Sequence, residues 1–337
     1  MLAQRLAQRT LELVDVPSES RDEAAIAAHV LDVLGPVGAR DAGDLCVVLR
    51  PEAEILLAGH FDTVPAQGNR PGRIEGDAVH GLGAADMKAG LAVMVELALD
   101  GAPFGCVFFP REELPHEESA LTPLLDREPA LRDTRLAIVM EPTANALHAG
   151  CVGNVNARLI AHGRSGHSAR PWTADNAIHR LADAVRAIAA QPYEKREFEG
   201  LTFTEAMSVV TIEGGIALNV VPDRAEAQVN YRYAPGRAPD EAERRLAEVV
   251  DGVDVEVFSN APSGAVPRDN PLVDRLRATG LAWEPKQAWT PVAEFSQAGV
   301  DAINFGPGDP RYAHTREEQV AIDALVRSYE TLEGLCA

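Results

Sequence analysis

The sequence predicts an α/β protein of two domains, the second a ferredoxin-like β-α-β-β-α-β unit inserted into the first. Three observations carry this expectation. Helical and strand patterns alternate over residues 1–150, give way to the split βαβ pattern for about 110 residues, and resume after SNAPSGAVPRDNP. The 337 residues leave room for two domains at roughly 100–200 residues each.

Leu2, Leu6, Leu13 and Val14 recur among charged residues and predict an amphipathic helix over 2–14, followed by a second over 22–34. Apolar runs at 46–49, 55–58, 105–109 and 136–140 read as buried strands, with a helix at 87–99 between the second and third. The middle supplies a strand at 154–161, a helix at 174–190, strands at 208–212 and 225–233, a helix at 240–250 and a strand at 253–258. Helices at 272–279 and 321–335 and a strand at 302–305 complete the chain. The expected boundaries are 1–152 with 264–337 for the outer domain and 153–263 for the insert.

Lys and Arg number 31 against 51 Asp and Glu, a formal charge of −20, which disfavours nucleic acid as a partner. Apolar stretches such as 91–95 fall far short of the roughly 18–20 residues that span a bilayer. The amphipathic start of the chain is unlike an apolar signal core, so a cytoplasmic protein without membrane partners is expected. Cys46, Cys106, Cys151 and Cys336 form no Cys-x-x-Cys pair, which suggests neither a thiolate zinc site nor a disulfide framework. Buried structural cysteine is the favoured reading over a nucleophile.

Residues able to bind metal fall at the ends of predicted strands: His60 and Asp62 after ILLAG, Glu112 and Glu113 after CVFFPR, Glu141 after AIVM. Asp86 opens the helix at DMKAG, and His314 lies in YAHTREE. Singly these are unremarkable, since a His-x-Asp is usually a satisfied polar pair and adjacent glutamates are usually solvated. Together they converge on the crevice beyond the strands' carboxyl ends, where open α/β sheets bind ligands. Carboxylates so crowded repel one another unless cations neutralise them, and imidazole with carboxylate suits zinc or a similar ion, with enough ligands for two. GLGAAD lacks the third glycine of a dinucleotide fingerprint, and no Gly-x-Ser-x-Gly elbow occurs.

The motifs GHFDTVP, GLGAADMKAG, REE, MEPT, SGHSARP, NVVPD, FGPGD and YAHTREE resemble, in order and over nearly the whole chain, the two-zinc deacylase and exopeptidase superfamily that includes aminoacylases and carboxypeptidases. HSARPWTADNAIH, GGIALNVVPD and INFGPGDPRYAHTREE are most similar to the actinobacterial-type succinyl-diaminopimelate desuccinylases. The resemblance implies a mixed-sheet, zinc-exopeptidase-like catalytic domain and an inserted dimerisation or lid domain, in a homodimer with two Zn2+ per subunit that Co2+ can replace. It further implies hydrolysis of the N-succinyl amide of N-succinyl-LL-2,6-diaminopimelate, in diaminopimelate and lysine biosynthesis. Another N-acyl amino acid deacylase, of acetylornithine deacetylase type, or a dipeptidase on the same metals is the alternative. A non-catalytic binding relative is disfavoured because every ligand and the base are present.

Carried over by position, the resemblance makes Asp86 the bridge between two ions, with His60 and Glu141 on one and Glu113 and His314 on the other. Asp62 accepts the far ring N–H of His60, and Glu112 is the general base. His167 reaches the partner subunit's active site to donate to the developing oxyanion. Arg170, Asn219, Arg232, Thr290, Gly306 and Gly308 face substrate. Glu294 departs from the pattern, standing where the desuccinylases carry an Arg; a carboxylate there would repel an anionic substrate group, or meet an ammonium if it faces the diaminopimelate end.

Overall fold

The computed structural model describes residues 1–336. The chain divides into two compact units: Met1–Gly150 with Gly264–Lys286 and everything from Thr290 onward, and Cys151–Ser263 with Gln287–Trp289.

The first unit is built on an eight-stranded sheet in the order Arg40–Asp41, Val47–Leu49, Gly105–Phe109, Ile55–His60, Leu136–Val139, Ala302–Asn304, Leu147–Ala149, Trp283–Pro285. It is mixed, because the four central strands run parallel while pairings toward both edges include antiparallel ones. The helix Ala89–Leu99 is apolar on every side and buried through Ala98, as a helix with no polar face must be. Its one charge, Glu96, is met by Arg9 Nε and Arg5 Nε at 2.8 Å each, both from the helix Leu2–Asp15. A Cβ on Gly90 would sit 2.4 Å from the Met140 carbonyl, so glycine there lets this helix lie directly against the strand that leads to Glu141. The helix expected from residue 87 starts at Ala89; Asp86 lies instead in an irregular turn, Ala84–Lys88, with φ −122 and ψ 96.

In the second unit the strands Glu194–Phe198, Leu201–Gly214, Arg224–Tyr233, Gly153–His162 and Asp254–Ala261 form one antiparallel sheet in that order. The last four have the ferredoxin-like arrangement, and Glu194–Phe198 is an additional edge. In the helix Ala177–Ala189, residues Ala177, Leu181, Ala184 and Ile188 form a buried stripe at helical spacing. Burial of Leu181 alone contributes about 2–3 kcal/mol. Asn176 caps this helix, its side chain accepting from the Ile178 N–H at 2.9 Å. The stripe packs on Val155, Ala157, Leu159, Ala227 and Val229 of the sheet. Among the described residues no helix is long and apolar enough to cross a membrane, and all four cysteines are free.

Candidate metal centre

Three adjacent parallel strands bring the ligand-type residues to one edge of the first unit's sheet. His60 ends Ile55–His60, Glu112 and Glu113 follow Gly105–Phe109, and Glu141 follows Leu136–Val139. Asp86 comes from the irregular turn, and His314 from a loop, where its φ is +61.

His60 Nε2 lies 3.3 Å from Asp86 Oδ1 and 3.6 Å from Glu141 Oε1. On the other side His314 Nε2 lies 2.8 Å from Glu113 Oε1 and 3.5 Å from Asp86 Oδ2. The two oxygens of Asp86 therefore face two imidazoles, and the ligand atoms of each cluster, His60–Asp86–Glu141 and Asp86–Glu113–His314, fall within 4.8 Å of one another. Glu112 sits within the same distance of His60 and Glu113. Glu141 Oε1 is buried without a hydrogen-bond donor. An orphaned carboxylate oxygen among imidazole nitrogens and further carboxylates fits a divalent ion, and the shared Asp86 fits two.

The electrostatics agree with this fit. Burial, then repulsion from Glu141, Glu113 and Asp86, pushes the Glu112 carboxyl well above its usual range, against the pull of His60. Burial and the Asp86 charge push Glu141 up to about 7. Burial would lower His60, but hydrogen bonds to Asp62 and Asp86 outweigh it and raise the imidazole well above its usual value. The Glu113 hydrogen bond raises His314 to about 9. Crowding of this kind is relieved when divalent ions bind among such carboxylates and imidazoles.

Asp62 has a wider task than orienting His60. The His60 Nδ1–H donates to the Asp62 backbone carbonyl at 3.1 Å, with Asp62 Oδ1 at 3.4 Å, which leaves the Nε2 lone pair directed at the cluster. The Asp62 carboxylate also accepts from the Glu112 N–H at 3.0 Å, the Glu113 N–H at 3.1 Å and the Ser20 hydroxyl at 2.8 Å. One buried side chain thus fixes both the imidazole and the backbone that carries the two glutamates.

Two further residues, absent from the sequence reading, join the centre. Glu318 accepts from the backbone N–H groups of Gly83, Ala85 and Asp86 at 2.8, 3.1 and 3.0 Å and so holds the turn that presents Asp86. Lys286 places its ammonium 3.7 Å from Glu141 Oε2. No apolar periodicity marks either; the available signals were the run of acids after His314 and the rarity of lysine in this chain.

Gly306 and Gly308 are buried. A Cβ on Gly306 would lie 2.4 Å from the Met140 carbonyl and one on Gly308 2.2 Å from the Ala85 carbonyl. Their segment is tied to the one after Glu141 by hydrogen bonds from Ala144 N–H to Gly308 O at 2.7 Å and Asn145 N–H to Gly306 O at 2.9 Å. The glycines thus admit backbone packing between the segments that follow and precede the ligands. Thr290 is fully buried in the same unit.

Glu294 differs from its expected role. It is 2% exposed, and its Oε1 accepts from the Ser119 hydroxyl at 2.8 Å, the Thr122 hydroxyl at 2.7 Å and the Thr122 N–H at 3.0 Å. It anchors the end of the loop that begins with Glu112 and Glu113 to the helix Val292–Gln297.

In the second unit, His167 pairs in register with Val220 across a two-strand ribbon, and Asn219 accepts the Ser168 N–H at 3.0 Å, which brings His167 and Asn219 together. His167 Nδ1 accepts the Ala169 N–H at 3.1 Å, so the neutral ring carries its proton on Nε2, exposed and free to donate. Arg170 is exposed beside it, its N–H bonded to the His167 carbonyl at 2.8 Å. Arg232 is half-buried, pairs with Asn154 across the sheet, and donates through Nε to Asn230 at 2.9 Å. It lies near the end of the strand whose start, Arg224, follows the ribbon, so at the usual rise per residue about 26 Å of strand separates Arg224 from Arg232.

Residues 150–257 match the M20 Peptidase dimerisation domain. The chain is 38% identical to the Mycobacterium tuberculosis protein named "Putative succinyl-diaminopimelate desuccinylase DapE" over 337 residues, spanning 96% of this chain and 95% of that one. It is 34% identical to the succinyl-diaminopimelate desuccinylase of Corynebacterium glutamicum, spanning 94% and 92%. The fold is shared with an aminopeptidase, PepT, of Bacillus cereus at a TM-score of 0.78 and 20% identity, over 99% and 97% of the two chains. With these relatives, fold and site define a metal-dependent amidohydrolase of the M20 peptidase class. Within that class the chain belongs to the succinyl-diaminopimelate desuccinylase family.

Proposed function

We infer that the protein hydrolyses the N-succinyl amide of N-succinyl-LL-2,6-diaminopimelate to succinate and LL-diaminopimelate, as a homodimer with two zinc ions per subunit. The observation that carries this reading is the pair of ligand clusters sharing Asp86, with Glu112 beside them. When bound, divalent ions supply Lewis acidity for the amide carbonyl and for the attacking water. His60, Asp86 and Glu141 would hold one ion, and Asp86, Glu113 and His314 the other. Glu112 takes a proton from water as the oxygen attacks the carbonyl carbon, then returns that proton to the amine as the C–N bond breaks. His167 donates its Nε2–H to the carbonyl oxygen as charge develops there. Arg170 and Arg232 meet substrate carboxylates, and the absence of any carboxylate partner on Arg232 among the ion pairs of the described residues leaves its charge for that purpose.

Kinetics with succinylated, acetylated and dipeptide substrates, with zinc added, test the assignment. Loss of a buried charge-assisted contact costs about 2–5 kcal/mol, so the succinyl compound should exceed the others in kcat/KM by roughly 30-fold or more. A second reading, a different deacylase or a dipeptidase on the same ligands, would be selected by equal or faster turnover of acetyl or dipeptide substrates; Glu294, buried against Ser119 and Thr122, does not bear on the choice.

The roughly 26 Å of strand between Arg224, which follows the ribbon of His167, and Arg232 supports a site shared between subunits. Mixing His167→Ala with Glu112→Gln subunits should restore part of the activity that each lacks alone, because one site in the mixed dimer regains both groups. No recovery after subunit exchange is verified by mass spectrometry would refute sharing in trans.

A further inference from the structure

Of the chain's 31 basic residues only three are lysines, Lys88, Lys195 and Lys286, and Lys286 is 6% exposed. A buried ammonium is retained only where its charge is used, since desolvation opposes it. Lys286 follows the edge strand Trp283–Pro285, which runs parallel to Leu147–Ala149. Its N–H donates to the Ala149 carbonyl at 3.4 Å and its Nζ to the Pro142 carbonyl at 3.2 Å. Backbone and side chain are thus both tied to the segment that begins with Glu141. From that anchorage Nζ reaches to 3.7 Å from Glu141 Oε2. The other oxygen, Oε1, has no donor and lies 3.6 Å from His60 Nε2.

We propose that Lys286 is a positioning residue that divides the two oxygens of Glu141, reserving Oε2 for itself so that only Oε1 is offered to the ion held with His60. This rests on the dinuclear reading above and deepens it. A carboxylate with both oxygens free can chelate one ion, whereas one engaged by a fixed cation donates a single oxygen. Lysine suits the task better than arginine: a compact point charge on a flexible stem fits beside one oxygen, while a guanidinium would claim both. The ammonium also offsets one of the five carboxylates, Asp62, Asp86, Glu112, Glu113 and Glu141, which weakens the hold on cations at that site and leaves the bound ion less saturated by protein charge.

The test is titration of chelator-treated full-length protein with Zn2+ by calorimetry and with Co2+ by visible absorption. Parent protein, Lys286→Met and Lys286→Gln are compared; the glutamine variant keeps a donor for the Pro142 carbonyl and so preserves the fold if methionine does not. Both substitutions should tighten one of the two ions by about tenfold or more, through the added carboxylate oxygen and the lost positive charge. The cobalt absorption per ion should fall as coordination number rises. Two ions in the parent with unchanged affinities and cobalt spectrum in a folded variant would overturn the inference alone. Fewer than two ions in the parent would overturn the dinuclear reading together with it. A weakened ion in folded variants would also overturn it, because the lysine would then support the ligand and not restrict it.

Discussion

Glu112→Gln should lower kcat by roughly 10²- to 10⁴-fold while leaving metal content and KM close to those of the parent. Glutamine keeps the shape of the side chain and removes only its capacity to take and return a proton. Glu112 belongs to neither cluster that shares Asp86, though it lies within ligand distance of His60 and Glu113, so metal content is the decisive control; its backbone position is set by its N–H bond to Asp62 Oδ1 at 3.0 Å, which the substitution leaves intact. Burial and three neighbouring carboxylates push the Glu112 carboxyl well above its usual range, an environment that suits a group cycling between protonated and ionised forms. Divalent ions would offset part of that repulsion and so favour the ionised, proton-accepting form. Steady-state kinetics with mass-spectrometric metal analysis separate the possibilities. A parallel loss of metal would make Glu112 a ligand, and a loss of less than tenfold in kcat would place the base elsewhere.

Much of this centre was legible because its residues interrupt strong patterns. His60, Glu113 and Glu141 stand where apolar strand runs stop, and the parallel order of those strands puts all three on one edge. The strand Leu201–Gly214 was harder to read, and the expected segment 208–212 covers only part of it. Leu201, Phe203 and Glu205 all point inward and are buried, so a carboxylate interrupts the apolar alternation. Glu205 is tolerated there because Arg237 meets it at 2.9 and 3.1 Å, the Tyr231 hydroxyl at 3.0 Å and the Ala234 N–H at 3.2 Å. Those partners come from 26 to 32 positions along the chain, beyond the reach of any local pattern. The edge strand Glu194–Phe198, sequence EKREF, has a single apolar residue and carries no strand signal of its own. Glu294 misled for a related reason: position within a motif suggested contact with substrate, whereas its partners Ser119 and Thr122 lie more than 170 residues earlier.

Glu318→Ala should lower the apparent melting temperature of the chelator-treated protein by about 6–12 °C. The carboxylate accepts three backbone N–H groups, those of Gly83 and Ala85 buried and that of Asp86 partly so, and alanine would leave all three without this acceptor. At about 1 kcal/mol or more for each orphaned donor the loss is roughly 3 kcal/mol at least, and a domain of this size moves about 2–4 °C per kcal/mol. Because unfolding of a two-unit chain need not be reversible, parent and variant are compared at one scan rate. The same turn presents the bridging ligand, so the variant should also retain fewer than two ions under conditions that saturate the parent. Glu318→Gln provides the graded case: its amide oxygen can serve one or two of the donors, while its NH2 group faces the rest, so its melting temperature should fall between those of parent and alanine variant. A Glu318→Ala protein melting within about 1 °C of the parent and binding two ions would mean that the Asp86 turn holds its shape without the carboxylate.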